Sequence, residues 1–429
     1  MSLSIQIDAS SHCQLACPLC PTADGRVRAA QGAGHLKLSD FEALLDRNPQ
    51  IAHVELSNYG EMFLNPQLAA ILKSAHERKV SVSGSNGVNL NFAREDALDA
   101  VVRYRVRALT CSIDGATQET YARYRVNGNL ERVLGHIDRI RELRRKYRSA
   151  FPLLDWQFVV FGHNEHELPV ARAMAAERGM ELVPRLSWDD GFSPVKDNDL
   201  VRIESGLGAA SRSEYRERRG AEYTRSICYQ LWHAPVLNWN GSMLGCCVNF
   251  WGDFGVNVFE SGLDAAMLSP KIEYARRMLT GEAAPAEGIP CTTCDQYVAL
   301  RESGGWLNAE EIQKSSGARF VAGIVLEADP SVRFAQVSIA AGAAGARFEN
   351  SGRLFRCGVD TAAYFAPAGP GKYTIQARGL GRSGWMPAVS RTIEIAPRPL
   401  CQEFSLDVSG SPATPEQGGE VDRLPLWIR

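Results

Sequence analysis

The sequence predicts an α/β protein built as a partial (β/α)6 barrel, followed by a small cysteine-bearing module and a C-terminal all-β sandwich. Three observations carry this. Apolar, strand-like runs alternate with amphipathic stretches over residues 3–186, the pattern of a parallel sheet with crossover helices. Seven of the eleven cysteines fall in two spaced groups, one near the amino end and one between residues 228 and 294. From about residue 320 the chain breaks into short runs divided by turn signals, as antiparallel sheets do.

Taken in order, the strand-like runs are residues 4–8, 53–58, 80–85, 108–114, 155–161 and 181–186; the helical stretches are 41–47, 66–78, 93–103, 130–148 and 165–178. Right-handed crossovers wind such units into an open or partial barrel, and sites in such sheets form at the carboxyl ends of the strands. Those ends carry Asn58-Tyr-Gly-Glu61, Ser85-Asn-Gly87 and Ser112-Ile-Asp-Gly115, all polar and glycine-containing. The expected domains are the barrel (1–190), a charged, partly helical connection (191–226), the cysteine module (227–312), the sandwich (318–408) and a loose tail (409–429). Within the sandwich, strands are expected at 320–326, 334–340, 373–377 and 391–395, with a turn at 367–371.

Forty-nine acidic and 47 basic residues nearly cancel in the 429-residue chain. No basic stripe interleaved with aromatics points to nucleic acid, and no apolar run approaches a membrane span. With no secretion signal at the amino end, a cytoplasmic location is expected. In a reducing compartment, clustered cysteines point to metal or catalytic roles rather than disulfides.

Cys13-x3-Cys17-x2-Cys20 follows the first strand. Three thiolates this close can ligate three irons of a [4Fe–4S] cluster and leave the fourth iron open. A zinc site is the alternative; it would need a fourth ligand such as His12. The Cys-x3-Cys-x2-Cys signature after the first strand of a six-fold β/α domain resembles that of radical S-adenosylmethionine (SAM) enzymes. The resemblance implies that SAM chelates the open iron and is split reductively to a 5′-deoxyadenosyl radical, which takes hydrogen from the substrate. It also implies that Gly60 and Glu61 contact the SAM amino group, and that Ser85, Asn86, Ser112, Asp114 and Arg125 belong to the segments contacting the rest of SAM. The position before the last cysteine is usually aromatic in that family; here it is Leu19.

The second group reads Cys228-x12-Gly241-x4-Cys246, then Cys291-x2-Cys294, with Asn240-Gly241 a strong hairpin signal. It resembles the auxiliary-cluster module of SPASM/twitch radical SAM enzymes. No further cysteine follows before Cys357, which implies the shorter twitch type with one auxiliary [4Fe–4S] cluster. The spacing is similar to that of 2-deoxy-scyllo-inosamine dehydrogenase and related sugar- and cyclitol-modifying members. A zinc ribbon is the competing reading. Cys247 adjoins a ligand but is not required by the pattern; alternation in a hairpin turns it away from the Cys246 side. It is a candidate hydrogen-atom donor or a small buried hydrophobe. His233 is a candidate base for a substrate hydroxyl, and Trp232, Asn238, Trp239, Asn249 and Trp251 are candidate pocket residues. Cys111, Cys357 and Cys401 read as packing residues.

The expected function is hydrogen abstraction from a small carbohydrate-like or cyclitol substrate, oxidising an alcohol with the auxiliary cluster as electron acceptor and flavodoxin or ferredoxin as reductant. A radical epimerase or deoxygenase using Cys247 is the alternative. A peptide-modifying maturase ranks lower, because the cluster motif begins too early for a leader-binding domain before it. The sandwich is a candidate binding module.

Overall fold

The structure is a computed structural model that describes residues 3–220, 222–314, 319–339, 347–348, 354–357, 362–382 and 384–409. The chain divides into two compact units. The first holds residues 1–147 and 151–318 with 398–400, and the second holds residues 148–150, 319–397 and 401 onward.

In the first unit, six parallel strands run in sequence: β1 (Leu3–Ile7), β2 (Ile51–Glu55), β3 (Ser81–Val88), β4 (Ala108–Ser112), β5 (Leu153–Val160) and β6 (Glu181–Leu186). Between them lie α1 (Arg26–Gln31), α2 (Leu38–Arg47), α3 (Leu68–Glu77), α4 (Glu95–Arg103), α5 (Gln118–Tyr124), α6 (Leu130–Tyr147) and α7 (Leu168–Glu177). Local chemistry sets the helix starts. Glu95 and Asp96 occupy the first turn of α4, and the Thr117 hydroxyl accepts the Thr120 N–H to cap α5. The connecting segment is partly helical as expected, with α8 (Asn198–Glu204) and α9 (Arg212–Arg219).

Side chains alternate along each strand. Ile5 and Ile7, Val54 and Leu56, Leu109 and Cys111, and Trp156 and Phe158 join one large core. The intervening positions are polar: Gln6 and Asp8, His53, Glu55 and Ser57, Ser81 and Ser83, Thr110 and Ser112, Asp155 and Gln157.

The cysteine module adds to this sheet. After the short helix α10 (Gln230–His233), strands β7 (Val236–Leu237) and β8 (Met243–Gly245) form the expected hairpin. β7 pairs in parallel with β1, Gln6 against Val236 and Ile7 against Leu237. One eight-stranded sheet results, in the order β6-β5-β4-β3-β2-β1-β7-β8. β1 is therefore interior to the sheet.

The second unit is the all-β sandwich. One sheet orders β11 (Arg347–Phe348), β13 (Ala362–Ala366), β9 (Val321–Glu327) and β17 (Cys401–Asp407). The other orders β12 (Leu354–Arg356), β10 (Phe334–Ile339), β14 (Gly371–Gly381) and β15 (Gly384–Trp385), with β16 (Val389–Ile395) also on β14. Ile324, Phe365 and Leu406 of one sheet share a core with Val337, Ile375 and Ile393 of the other. The expectation of a wholly antiparallel sandwich is corrected in one place, since β17 runs parallel to β9. Cys401 is buried and Cys357 packs against the core. Of the predicted tail, residues 410–429 lie outside the described residues. Among the described residues, no helix is long and apolar enough to cross a membrane.

Candidate active site

Cys13, Cys17 and Cys20 lie on the loop after β1 and line one cavity of ≈ 220 Å³. The Cys20 N–H donates to the Cys17 carbonyl at 3.0 Å, which folds the loop so that the thiols share that cavity. The Arg125 Nη1 stands 3.8 Å from the Cys17 sulfur, and the Asn89 side-chain amide 3.6 Å from that of Cys13. Burial and neighbouring negative groups push the Cys13 thiol up to about 12. Burial likewise raises Cys17, with Arg125 opposing. Thiols so placed become thiolates only around a strongly cationic centre.

The glycine–glutamate pair is held at the same cavity. The Gly60 Cα packs on the loop so closely that an added Cβ would fall 1.6 Å from the Ser10 carbonyl oxygen, so only glycine fits. The Glu61 carboxylate accepts the Phe63 N–H at 3.1 Å and the Asn89 N–H at 2.6 Å. Burial pushes its carboxyl up to about 7, the condition in which a facing cation is most stabilising.

Asn86, Ser112 and Arg125 also line the cavity. Ser85-Asn86-Gly87 lies inside the far end of β3, at a register irregularity between Gly84 and Val88. Ser85 is not among the lining residues; its N–H donates to Glu55 Oε2 at 2.8 Å. Asp114 stands behind the wall, fully buried. It accepts Arg125 Nε at 2.5 Å and the Val159 N–H at 2.7 Å, and so fixes the guanidinium that faces the cavity. Leu19 packs with Leu15, Tyr124 and Phe161 rather than lining the cavity.

The four cysteines of the second group also come together. Cys228 sits in the turn Arg225–Tyr229, Cys246 directly after β8, and Cys291 and Cys294 flank a turn closed by the Cys294 N–H on the Cys291 carbonyl at 3.1 Å. Burial raises the Cys246 thiol far above its usual value, and Cys291, Cys247, Cys228 and Cys294 raise it further. Among the described residues, no three His, Cys, Asp or Glu side chains converge closely enough to hold a single metal ion.

Two expectations are placed elsewhere. His233 stands with its Nε2 2.7 Å from the Ile312 carbonyl and does not line this cavity. The candidate pocket residues do not line this cavity: Trp239 packs on Gly34, Trp251 Nε1 donates to the Pro290 carbonyl, Trp232 lies under Arg276, Asn238 holds the Gln31 carbonyl and Asn249 holds the Leu244 and Gly252 carbonyls, while the buried Trp239 Nε1 and Asn249 Oδ1 have no hydrogen-bond partner. Cys247 adjoins Cys246, and its charge is felt at both Cys246 and Cys228. Its N–H donates to Gln230 Oε1 at 2.8 Å, and Glu55 is among the groups that raise its thiol after burial, to about 11. Cys111 is buried in the core, as expected.

Sequence reasoning missed Trp188, Tyr59, Asp8 and Glu55. Trp188 follows β6, lines the cavity and is half exposed; nothing in a single loop tryptophan marks it. Glu55 had a readable signal, because His53, Glu55 and Ser57 put polar groups on a strand of a parallel sheet, where both faces are usually apolar. Glu55 accepts from Ser57 Oγ (2.5 Å), Ser83 Oγ (2.5 Å) and the Ser57 N–H (3.0 Å) as well as Ser85, so it ties β2 to the Ser85-Asn86 segment. Ser83 donates to this carboxylate, and its oxygen is then the acceptor for His53 Nε2 at 3.0 Å.

Asp8, at the end of β1, is buried with its Oδ1 lacking a hydrogen-bond partner. Burial pushes its carboxyl up to about 7 against the lowering effect of the Tyr59 and Gly60 N–H groups, and Glu55 adds to the rise. The folded state thus binds the proton more tightly than the unfolded state. Stability is lost as pH rises from the unfolded value near 4 to about 7, and changes little above it. Thermal melts of the metal-free protein are therefore expected to fall across this window. Asp8→Asn is expected to flatten part of the fall and to melt above wild type at pH 8; a parallel profile in the variant would refute this.

No protein-family model matches the sequence, and no curated protein does. Solved structures do. Streptococcus suis SuiB bound to S-adenosylmethionine is similar at TM-score 0.50 and 14% identity over 73% of this chain and 77% of that chain. BtrN in complex with AdoMet and 2-DOIA is similar at TM-score 0.40 and 15% identity over 69% of this chain and 93% of that chain. The first likeness is one of fold.

Proposed function

We propose that the protein is a radical SAM enzyme that removes hydrogen from a small carbohydrate-like or cyclitol alcohol and oxidises it. The observation carrying this reading is the convergence of Cys13, Cys17 and Cys20 with Glu61, Asn86, Ser112 and Arg125 on one cavity at the strand ends. Bound there, a [4Fe–4S] cluster and SAM would supply reductive cleavage of the sulfonium and a carbon radical able to take a substrate hydrogen. The chain's own residues do the rest. Glu61 presents a buried carboxylate to the SAM ammonium, Gly60 permits its close approach, and Arg125, fixed by Asp114, balances negative charge beside Cys17. Asn58, Asn86, Ser112 and Gln157 give the cavity uncharged donors and acceptors suited to hydroxyl groups, and Trp188 covers its rim.

Cys228, Cys246, Cys291 and Cys294 would hold a second four-iron cluster. With four thiols and no open iron, that cluster suits electron acceptance rather than substrate ligation. A flavodoxin or ferredoxin would supply the priming electron. A second reading, epimerisation, is favoured by the placement of Cys247. Its buried thiol lies within electrostatic reach of Glu55 and of the cavity-lining Tyr59, from where it could return a hydrogen atom to a substrate radical.

The test is anaerobic reconstitution followed by metal analysis and a screen for 5′-deoxyadenosine release against sugars and cyclitols. About eight irons per chain are expected; about four with one zinc would remove the second cluster. A ketone without solvent deuterium supports oxidation, and an isomer carrying solvent deuterium supports epimerisation. Release stimulated by peptides alone would overturn the small-substrate reading.

A further inference from the structure

Tyr59 touches the surroundings of both cysteine groups. It lines the cavity with Cys13, Cys17 and Cys20. Its backbone carbonyl accepts the Thr22 hydroxyl at 2.8 Å, two residues past Cys20. Its own hydroxyl donates to the Val248 carbonyl at 2.8 Å, two residues past Cys246. The ring meets Phe250 edge-on with centroids 5.6 Å apart. Burial first, then Cys247, Cys246, Asp8 and Cys20, raises the phenol so far that it stays neutral.

We propose that Tyr59 is the bridge by which an electron passes between the second cysteine group and the cavity. The inference rests on the reading above and goes beyond it by naming the path. Electronic coupling decays steeply across empty space and less so through bonded and hydrogen-bonded atoms. Here a continuous route runs from Cys246 along the chain to the Val248 carbonyl, across the hydrogen bond to the phenol, through Tyr59 to its carbonyl, and across the Thr22 hydroxyl to Cys20. Tyr59 is neither oxidised nor reduced overall. In substrate oxidation, an α-hydroxy radical in the cavity would lose its hydroxyl proton to solvent and one electron to the second cluster, and so form the C=O bond. Run in reverse, one electron from the reduced second cluster breaks one C–S bond of one SAM. The carbon radical formed then takes a hydrogen atom from an added thiol.

The reverse direction gives a test that needs no substrate. The full chain carrying both clusters is reduced with titanium(III) citrate, freed of reductant, and mixed with SAM and dithiothreitol. Wild type is expected to yield one 5′-deoxyadenosine promptly and a second more slowly, the second tracking loss of the reduced auxiliary-cluster EPR signal. In Tyr59→Leu the rate of the second phase and of its EPR decay, each taken relative to the first phase of the same variant, is expected to fall at least about tenfold. Tyr59→Phe, which keeps the ring but not the hydroxyl contact, is expected to fall between. A second phase unchanged in Tyr59→Leu overturns the bridge. So does a wild type that stops at one equivalent while its second cluster stays reduced. Should Tyr59→Leu fail to retain iron, Tyr59→Phe decides: a wild-type second phase in that variant overturns the proposal. A wild type that holds iron but releases no 5′-deoxyadenosine sinks the radical SAM reading itself.

Discussion

Cys17→Ala is expected to cut iron from about eight to about four per chain and to lower SAM cleavage by at least about a thousandfold. Cys17 is the most buried of the first trio, at 5% exposure, and its sulfur faces both the cavity and Arg125. Three thiolates are the minimum that hold the cluster while leaving a corner for SAM, so losing one removes the site for the chemistry rather than weakening it. The fold should persist, because trimming a buried thiol to a methyl removes little apolar contact. Cys111→Ala is the matched control. Cys111 is equally buried but packs in the core between Leu109 and Ile113, and its loss is expected to leave iron and SAM cleavage unchanged. Iron analysis and 5′-deoxyadenosine assays on both variants check the pair; equal iron in the two would refute the assignment of Cys17.

Asp114→Ala is expected to be the most destabilising single change in the site. Asp114 is fully buried, and the Arg125 side chain is only 14% exposed. Removing the carboxylate strands a guanidinium with little water, a situation that costs about 3–5 kcal/mol. The Val159 N–H is orphaned as well. For a unit of this size the melting temperature should drop by roughly 5 °C. SAM affinity should fall at least about tenfold, since Arg125 would no longer be held beside Cys17. Asp114→Asn keeps an acceptor without the charge and is expected to recover part of the loss. Scanning calorimetry and SAM titration check this. An Ala variant melting within about 2 °C of wild type would show that the pair carries no structural load.

The barrel was legible because strands of a parallel sheet are bounded by turns and separated by helical periodicity, and each of the six appears near its predicted place. Helix boundaries moved by a few residues where proline intervened; the stretch from Glu165 begins as a tight turn, and α7 starts at Leu168 with Pro169 in its first turn. The pairing of β7 with β1 was not legible, since it joins Ile7 to Leu237 across the whole barrel sequence and leaves no local trace. In the sandwich, β13 and β17 were missed: Ala362–Ala366 and Cys401–Asp407 lack the alternation that marked the other runs. Within the site, spacing alone identified the cysteines. Residues that act by position in space were another matter. His233 stands against the Ile312 carbonyl, whereas Tyr59 and Trp188, which looked ordinary, line the cavity, and Asp8 and Glu55 lie at the ends of β1 and β2.

The seam between β1 and β7 has a consequence for any attempt to trim the protein. Cutting the chain before the second cysteine group would not detach an accessory. It would lay bare the backbone of β1, whose Gln6 and Asp8 N–H groups are held by Pro235 and Leu237, and turn a central strand into an open flank ready to stick to other chains. A shortened form would therefore have to keep the hairpin whatever its cysteines do.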